Sequence, residues 1–260
     1  MLTRPLRVTA TLLAAALAAW VIAAQQMRGM DAGPGTNLGG LGWYLGIWVT
    51  MTAAMMLPSA APMVLTYARV ARDARTWVFV LGYLVAWTAF GLVAYGLYRL
   101  VARSSPGWVA WNRQGPFVAG AALALAGLYQ LSPLKEACLR HCRGPFRYLV
   151  HGWRDGRTGA LRMGAEHGLF CVGCCWGLML ALFALGVMSL AWMAFVAALI
   201  ALEKTLPWGR AVTFGTAALL LVVGVLLLAA PDAIPGLTLP GHCSMGGGSI
   251  DMGSGSMEMH

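Results

Sequence analysis

The chain has 260 residues, 59% of them hydrophobic and only 10% charged, where ordinary soluble domains carry roughly a quarter charged. That balance excludes a soluble domain and a disordered chain, and six cysteines are too few for a disulfide-stapled scaffold. The net charge of +9, from 18 Lys and Arg against 9 Asp and Glu, belongs mainly in loops at a bilayer surface, where it reports sidedness and not nucleic-acid binding.

A membrane-crossing helix needs roughly 20 mostly apolar residues. Seven segments approach that length: Leu6 to Ala24, Trp43 to Tyr67, Trp77 to Tyr98, Phe117 to Leu134, Gly168 to Leu185, Val187 to Leu202 and Ala211 to Ala230. The expected fold is all-α, a polytopic transmembrane bundle over residues 1–230 followed by a flexible tail over 231–260. The fifth and sixth segments form one apolar run from Leu169 to Leu202. A single helix there would be roughly 50 Å long, too long for a hydrocarbon core of about 30 Å, so a break at Leu185 to Ser189 is expected.

With seven spans and a cytoplasmic N-terminus, the inside cations are Arg4, Arg7, Arg69, Arg72, Arg75, Lys135, Arg140, Arg143, Arg147, Arg154, Arg157, Arg162, Lys204 and Arg210, and the outside ones are Arg28, Arg99, Arg103 and Arg113. Merging the fifth and sixth spans would move Lys204 and Arg210 outside and weaken the bias, so the positive-inside rule favours seven spans with the C-terminus extracytoplasmic. The first segment also has signal-peptide features, Arg4 and Arg7 before an Ala-rich run ending near Ile22-Ala23-Ala24.

In the second segment Met51 and Met55 stack at i, i+4, and Met56 with Met63 marks an adjacent stripe. Pro58 and Pro62 lack backbone N–H groups, so a kink with freed carbonyls is expected there, as in helices that line ion sites. Met is also a common filler of irregular core space. Met179 and Met193 extend the thioethers into the fifth and sixth segments, and the chain carries 15 Met in all.

Five of the six cysteines fall in two clusters, Cys138-Leu139-Arg140-His141-Cys142 and His167-Gly168-Leu169-Phe170-Cys171-Val172-Gly173-Cys174-Cys175. The topology places both at the cytoplasmic side, where the fourth span leaves and the fifth re-enters. Helical spacing lets Cys138 converge with His141 and Cys142, and His167 with Cys171 and then Cys174 or Cys175. Thiolate with imidazole suits Zn²⁺, and thiolate with thioether suits Cu(I). Between the clusters, Phe146, Tyr148, Leu149 and Trp153 are interleaved with arginines from Arg143 to Arg162. Written as one helix, this stretch is basic and amphipathic, suited to anionic lipid at the inner leaflet.

Glu203 and Lys204 close the sixth segment. Neighbours on a helix diverge, so one is expected to point inward and the other to snorkel. An inward Glu203 is either a metal neighbour or proton carrier, or an ordinary helix-end carboxylate; Glu166 beside His167 carries the same two readings. After Pro231 the tail is Gly, Ser and Met with His242, Cys243, Met245, Met252, Met257, Met259 and His260. These have little apolar company to pack against, and flexible Met, Cys and His make a sensible Cu(I) capture segment.

The segments Ala54-Met55-Met56-Leu57-Pro58-Ser59, Cys138 to Cys142, His167 to Trp176, and Gly186-Val187-Met188 through Trp192-Met193 to Glu203-Lys204 resemble the bacterial family described as predicted metal-binding integral membrane proteins, a domain of unknown function. The resemblance runs from about Trp43 to Leu228, and the Cys-rich motif is its most specific part. Ser189 departs from the Asn expected after the Gly-Val-Met turn. The resemblance implies a multi-pass protein of the bacterial inner membrane with a metal site at matching Cys, His and Met positions.

The leading expectation is therefore a non-enzymatic membrane protein that binds, delivers or transports a transition metal, with copper favoured and zinc the alternative ion. The expected metal ligands are Cys138, His141, Cys142, His167, Cys171, Cys174, Cys175, Met51, Met55, Met56, His242, Cys243 and Met245, and the expected partners are lipid, the metal ion and no nucleic acid. A membrane thiol oxidoreductase or metalloenzyme cycling Cys174 with Cys175, or Cys138 with Cys142, is the second reading. An accessory subunit that supplies metal to a larger membrane complex is the third.

Overall fold

The computed structural model describes residues 3–28, 39–71, 73–104, 111–185, 190–206 and 208–230. Among them are nine helices: α1 (Thr3–Gln26), α2 (Leu41–Val70), α3 (Asp73–Ser104), α4 (Trp111–Gln130), α5 (Pro133–Arg143), α6 (Pro145–Gly152), α7 (Gly156–Leu185), α8 (Leu190–Thr205) and α9 (Gly209–Ala229). Five of these, α1, α2, α3, α7 and α9, are long and apolar enough to cross a membrane, and a sixth span results if the bent pair α4 and α5 counts as one. Helix α8, the counterpart of the sixth expected segment, has 16 residues, about 24 Å at ~1.5 Å per residue, short for a full crossing. Helix α7 is described to Leu185 and α8 from Leu190, and the expected break between them lies outside the described residues.

Two boundaries differ from the hydropathy reading. The fourth segment does not run on to Leu134: α4 ends at Gln130 and the chain turns by 64° into α5. The local reason is a complete helix start at Ser132, whose side chain accepts from the Lys135 backbone N–H at 3.2 Å, with Pro133 in the first helical position and Glu136 in the first turn. Likewise, the stretch from Arg143 to Arg162 is not one amphipathic helix. Gly144 ends α5 and Pro145 opens the short α6, and Gly156, at φ +84°, is the first residue of α7. Helix α7 thus begins at Gly156, three turns before the expected Gly168.

Helix α2 is continuous across Pro58 and Pro62. Its side-chain hydroxyls find carbonyls within the same helix, Ser59 donating to Met56 O at 3.0 Å and Thr66 to Pro62 O at 2.7 Å, as hydroxyls in an apolar medium must.

The helices pair as α3 with α7, α4 with α9 and α1 with α2. Helices α3 and α7 approach through glycines. A Cβ on Gly82 would run into the Leu161 carbonyl, one on Gly164 into the Phe79 carbonyl, and one on Gly168 would lie 2.7 Å from Ala86 Cβ and 2.9 Å from Tyr83 O. This is the small-residue packing that lets membrane helices touch at backbone distance. Large apolar side chains outside the bundle, such as Leu17 on α1, Leu92 and Val93 on α3, and Phe214 and Val222 on α9, are exposed, as a lipid-facing surface requires. The interior of the bundle holds Met51, Met55, Met56, Met179, Met193, Cys171, Cys174 and Cys175 in one packed cluster with Tyr83 and Trp87.

Substituting Gly164 by Val should force α3 and α7 apart and cost about 1–3 kcal/mol, the usual penalty of overpacking. Gly215, whose Cβ would meet nothing within 4 Å, should accept Ala without loss. Denaturant unfolding of the detergent-solubilised protein compares the two, and equal stability of G164V and wild type would contradict the backbone contact.

Candidate metal centre

Helix α7 carries Cys171, Cys174 and Cys175 at a spacing that puts Cys174 and Cys175 one turn beyond Cys171. Their sulfurs all lie within 4.8 Å of one another, and all three residues are buried. Cys174 Sγ is 3.3 Å from Cys175 Sγ, and its thiol donates to the Cys171 carbonyl at 3.2 Å. Helix α5 brings a fourth thiol, with Cys142 Sγ 3.8 Å from Cys174 Sγ. All four are free cysteines. Metal–sulfur bonds of ~2.3 Å place ligand sulfurs roughly 3.8–4.0 Å apart in tetrahedral or trigonal geometry, so these separations need only small side-chain adjustments to take one ion.

Cys171 is the most heavily served of the four. The Tyr83 hydroxyl from α3 is 3.0 Å from its sulfur, and Lys204 Nζ from α8 donates to it at 3.0 Å. The same ammonium donates to Ser59 Oγ on α2 at 3.1 Å, and Ser59 Oγ lies 4.0 Å from Met56 Sδ. Lys204 therefore joins the thiol cluster to the thioether stripe of α2.

Lys204 does not snorkel, and Glu203 is inward too. Helix α8 ends with protein on both sides, so diverging neighbours both meet protein. Glu203, 2% exposed, pairs with Lys135 Nζ of α5 at 2.7 Å and accepts from Gln130 Nε2 of α4 at 3.1 Å; Lys135 also bonds Gln130 Oε1. Arg143 donates to the Glu203 carbonyl from Nε and Nη2 at 2.8 and 2.5 Å. Glu203 is thus committed to an ion pair that ties α5 to α8. Glu166 is committed as well, to Arg154 at 2.7 Å and Arg162 at 3.2 Å.

Neither histidine belongs to the group of sulfurs within 4.8 Å of one another. His141 is exposed, stacks on Phe170 with ring centres 4.1 Å apart and an interplanar angle of 3°, and uses Nδ1 on the Ala137 carbonyl at 2.9 Å. It is adjacent to Cys142 in sequence, so it faces away from Cys142's partners. His167 is buried among the rings of Phe79, Tyr83 and Tyr148, with centres 5.8–6.1 Å away, and its Nδ1 has no hydrogen-bond partner. It is outside the group of sulfurs within 4.8 Å. Cys138 packs on Gly173, where a Cβ would come within 2.7 Å of its sulfur. Met51, Met55 and Met56 are buried in the same interior cluster as the cysteines. His242, Cys243 and Met245 lie outside the described residues.

Sequence reasoning named the four converging thiols but did not assign Tyr83, Ser59 or Lys204 to them, nor Lys135 to Glu203. For the charged residues a signal was present. Ionisable side chains at apolar helix ends that must be paired are rarely idle, and Lys135, Glu203 and Lys204 are such residues. Tyr83 carried no signal of its own, because its position follows from the glycine contacts between α3 and α7.

A family model described as copper chaperone, PpoB2, matches residues 45–227. The chain belongs to the PpoB2 copper chaperone family. The matched region includes all four thiols, Tyr83, Ser59 and Lys204, and it ends before residue 231. No curated protein and no solved structure matches the chain. The resemblance to metal-binding integral membrane proteins is thereby sharpened to copper: this is a multi-pass membrane protein of a copper-handling family with a buried cysteine triad.

Replacing Glu203 by Leu should leave Lys135 buried without its counter-charge and destabilise the protein by about 3–5 kcal/mol. Adding Lys135→Met should recover most of that loss. A double-mutant cycle on detergent-solubilised protein measures the coupling, and strictly additive effects would show that the pair contributes nothing.

Proposed function

We propose that Cys171, Cys174 and Cys175 bind one Cu(I) within the membrane, with Cys142 as an exchangeable fourth thiol. The observation that carries this reading is the triad of buried sulfurs within 4.8 Å in a chain of the copper chaperone family. The surroundings support copper over zinc. Among the described residues no histidine joins the sulfurs within 4.8 Å, and Lys204 and Ser59 link Cys171 to the thioether of Met56, a donor set that favours Cu(I).

Charge supports it too. Three thiolates and one Cu⁺ leave two negative charges, which are costly in an apolar interior unless offset. Lys204 at 3.0 Å from Cys171 supplies one positive charge, and the Tyr83 hydroxyl supplies a hydrogen bond. Met51, Met55 and Met56 offer weaker ligands along α2, through which an ion would pass to or from the thiols. His242, Cys243 and Met245 in the 231–260 tail would capture Cu(I) on the extracytoplasmic side, given the cytoplasmic N-terminus that the arginine distribution favours. The reading places the protein in the bacterial inner membrane as a donor of copper to a larger membrane complex. His141, His167 and Cys138 are not assigned to the ion in this arrangement.

Competition with a chromogenic Cu(I) chelator under reducing conditions tests the site. Wild type should hold one tightly bound ion, and C171S/C174S/C175S should weaken it by about a hundred-fold or more, equivalent to at least ~2.7 kcal/mol. Removing residues 231–260 should leave that affinity intact and lower only copper uptake from outside. Unchanged binding in the triple variant, or zinc outcompeting Cu(I), would overturn the assignment. Thiol trapping in intact cells should find the triad reduced; a mixed-disulfide population would favour the thiol-exchange chemistry of an oxidoreductase instead.

A further inference from the structure

Copper also exists as Cu(II), and a group of thiols does not keep that ion unchanged, because soft thiolate selects Cu(I). Two thiols give up one electron each and join as a disulfide. Which two can join here is decided by geometry. A disulfide needs Cβ atoms about 3.5–4.5 Å apart, whereas residues three or four apart on a helix hold theirs roughly 5–6 Å apart. That excludes Cys138 with Cys142 on α5, and Cys171 with Cys174 or Cys175 on α7. Cys174 and Cys175 have sulfurs 3.3 Å apart. As chain neighbours, however, their Cα atoms are about 3.8 Å apart, below the usual ~4.4 Å minimum across a disulfide.

Cys142 and Cys174 escape these limits, because they stand on different helices. Their sulfurs are already 3.8 Å apart, and side-chain rotation closes that gap to the ~2.05 Å of a bond. Both are free, Cys142 half-buried and Cys174 buried. Joining them leaves Cys171 and Cys175, which share a face of α7 with their sulfurs within 4.8 Å of one another. Lys204 Nζ lies 3.0 Å from the Cys171 sulfur. Two thiolates, one Cu⁺ and one ammonium sum to zero charge, the balance that an apolar interior favours.

We propose that the thiol centre reduces Cu(II), with Cys142 and Cys174 as the electron donors. Two Cu²⁺ and the two thiols give two Cu⁺, one Cys142–Cys174 disulfide and two protons. Each copper takes one electron, and the S–S bond forms as both S–H bonds are lost. One Cu⁺ stays on Cys171 and Cys175, and the other leaves to an acceptor. A dithiol reductant reopens the disulfide by exchange, which returns Cys174 to the triad. The activity rests on the Cu(I) centre proposed above and adds to it an electron source in the same site.

To test this, the full chain in detergent is reduced, freed of reductant under nitrogen, and given Cu(II) with a chromogenic Cu(I) chelator. The wild type should yield about two Cu(I) per chain, lose about 2 Da and show a cross-linked peptide joining Cys142 to Cys174, with the cross-link reversed by dithiothreitol. C138S/C243S should behave the same, since neither residue belongs to the pair. C142S, checked for folding by gel filtration, should form no cross-link and reduce Cu(II) at least about ten-fold more slowly. No Cu(I) from the wild type, a wild-type rate in C142S, or a different cysteine pair in the peptide map would overturn the activity. Cu(I) supplied ready reduced is titrated alongside. A wild type that binds it but reduces no Cu(II) refutes the reductase activity alone, and one that does neither refutes the Cu(I) centre as well.

Discussion

The close approach of α3 and α7 is the constraint on which the thiol cluster depends. Gly82, Gly164 and Gly168 let the two backbones touch, and only at that separation does the Tyr83 hydroxyl reach Cys171 at 3.0 Å. In a bilayer there is no hydrophobic force between helices to pull them together, because lipid tails are as apolar as leucine. Close packing and buried polar contacts must do it. The glycines supply the first, and the Tyr83–Cys171 contact supplies part of the second.

The other side of the cluster is built from charge. Helix α8 is short, and it ends with two ionisable residues that both face protein. Lys204 reaches across to Cys171 and Ser59, and Glu203 reaches the other way to Lys135 and Gln130. Each charge removed from water in this way is costly unless paired, so the end of α8 has few alternative positions. Because Lys135 lies seven residues before Cys142 on the same helix, the Glu203–Lys135 pair also fixes the α5 face from which Cys142 meets Cys174.

The apolar runs made the helical bundle legible in the sequence. The two cysteine clusters could be placed at one end of the bundle because positive charge flanks both. What hydropathy averages could not register was the stop at Gln130. It is set by Ser132 and Pro133, two residues inside a window that still reads as apolar. The surroundings of the histidines were not legible for a different reason. One-turn spacing says which residues can share a face, but not whether a neighbouring ring will claim them first, and Phe170 claims His141 while Phe79, Tyr83 and Tyr148 enclose His167.

The thiol-only group bears on what kind of site this is. A structural zinc site closes its four ligands around the ion and contributes outright to folding. Here the interior is already held by glycine contacts and by the Lys135–Glu203 pair, neither of which needs a metal. On the proposed reading, the thiols serve exchange and not architecture. Cu(I) is stable with fewer than four soft ligands, so three thiols on one helix, a fourth on another and a thioether beyond Ser59 make more donors than one ion uses. Such a surplus permits transfer by replacing one sulfur at a time, without ever releasing a bare cation into the apolar interior. A copper chaperone built inside a membrane faces that requirement, because release into lipid would carry the full cost of an unpaired charge.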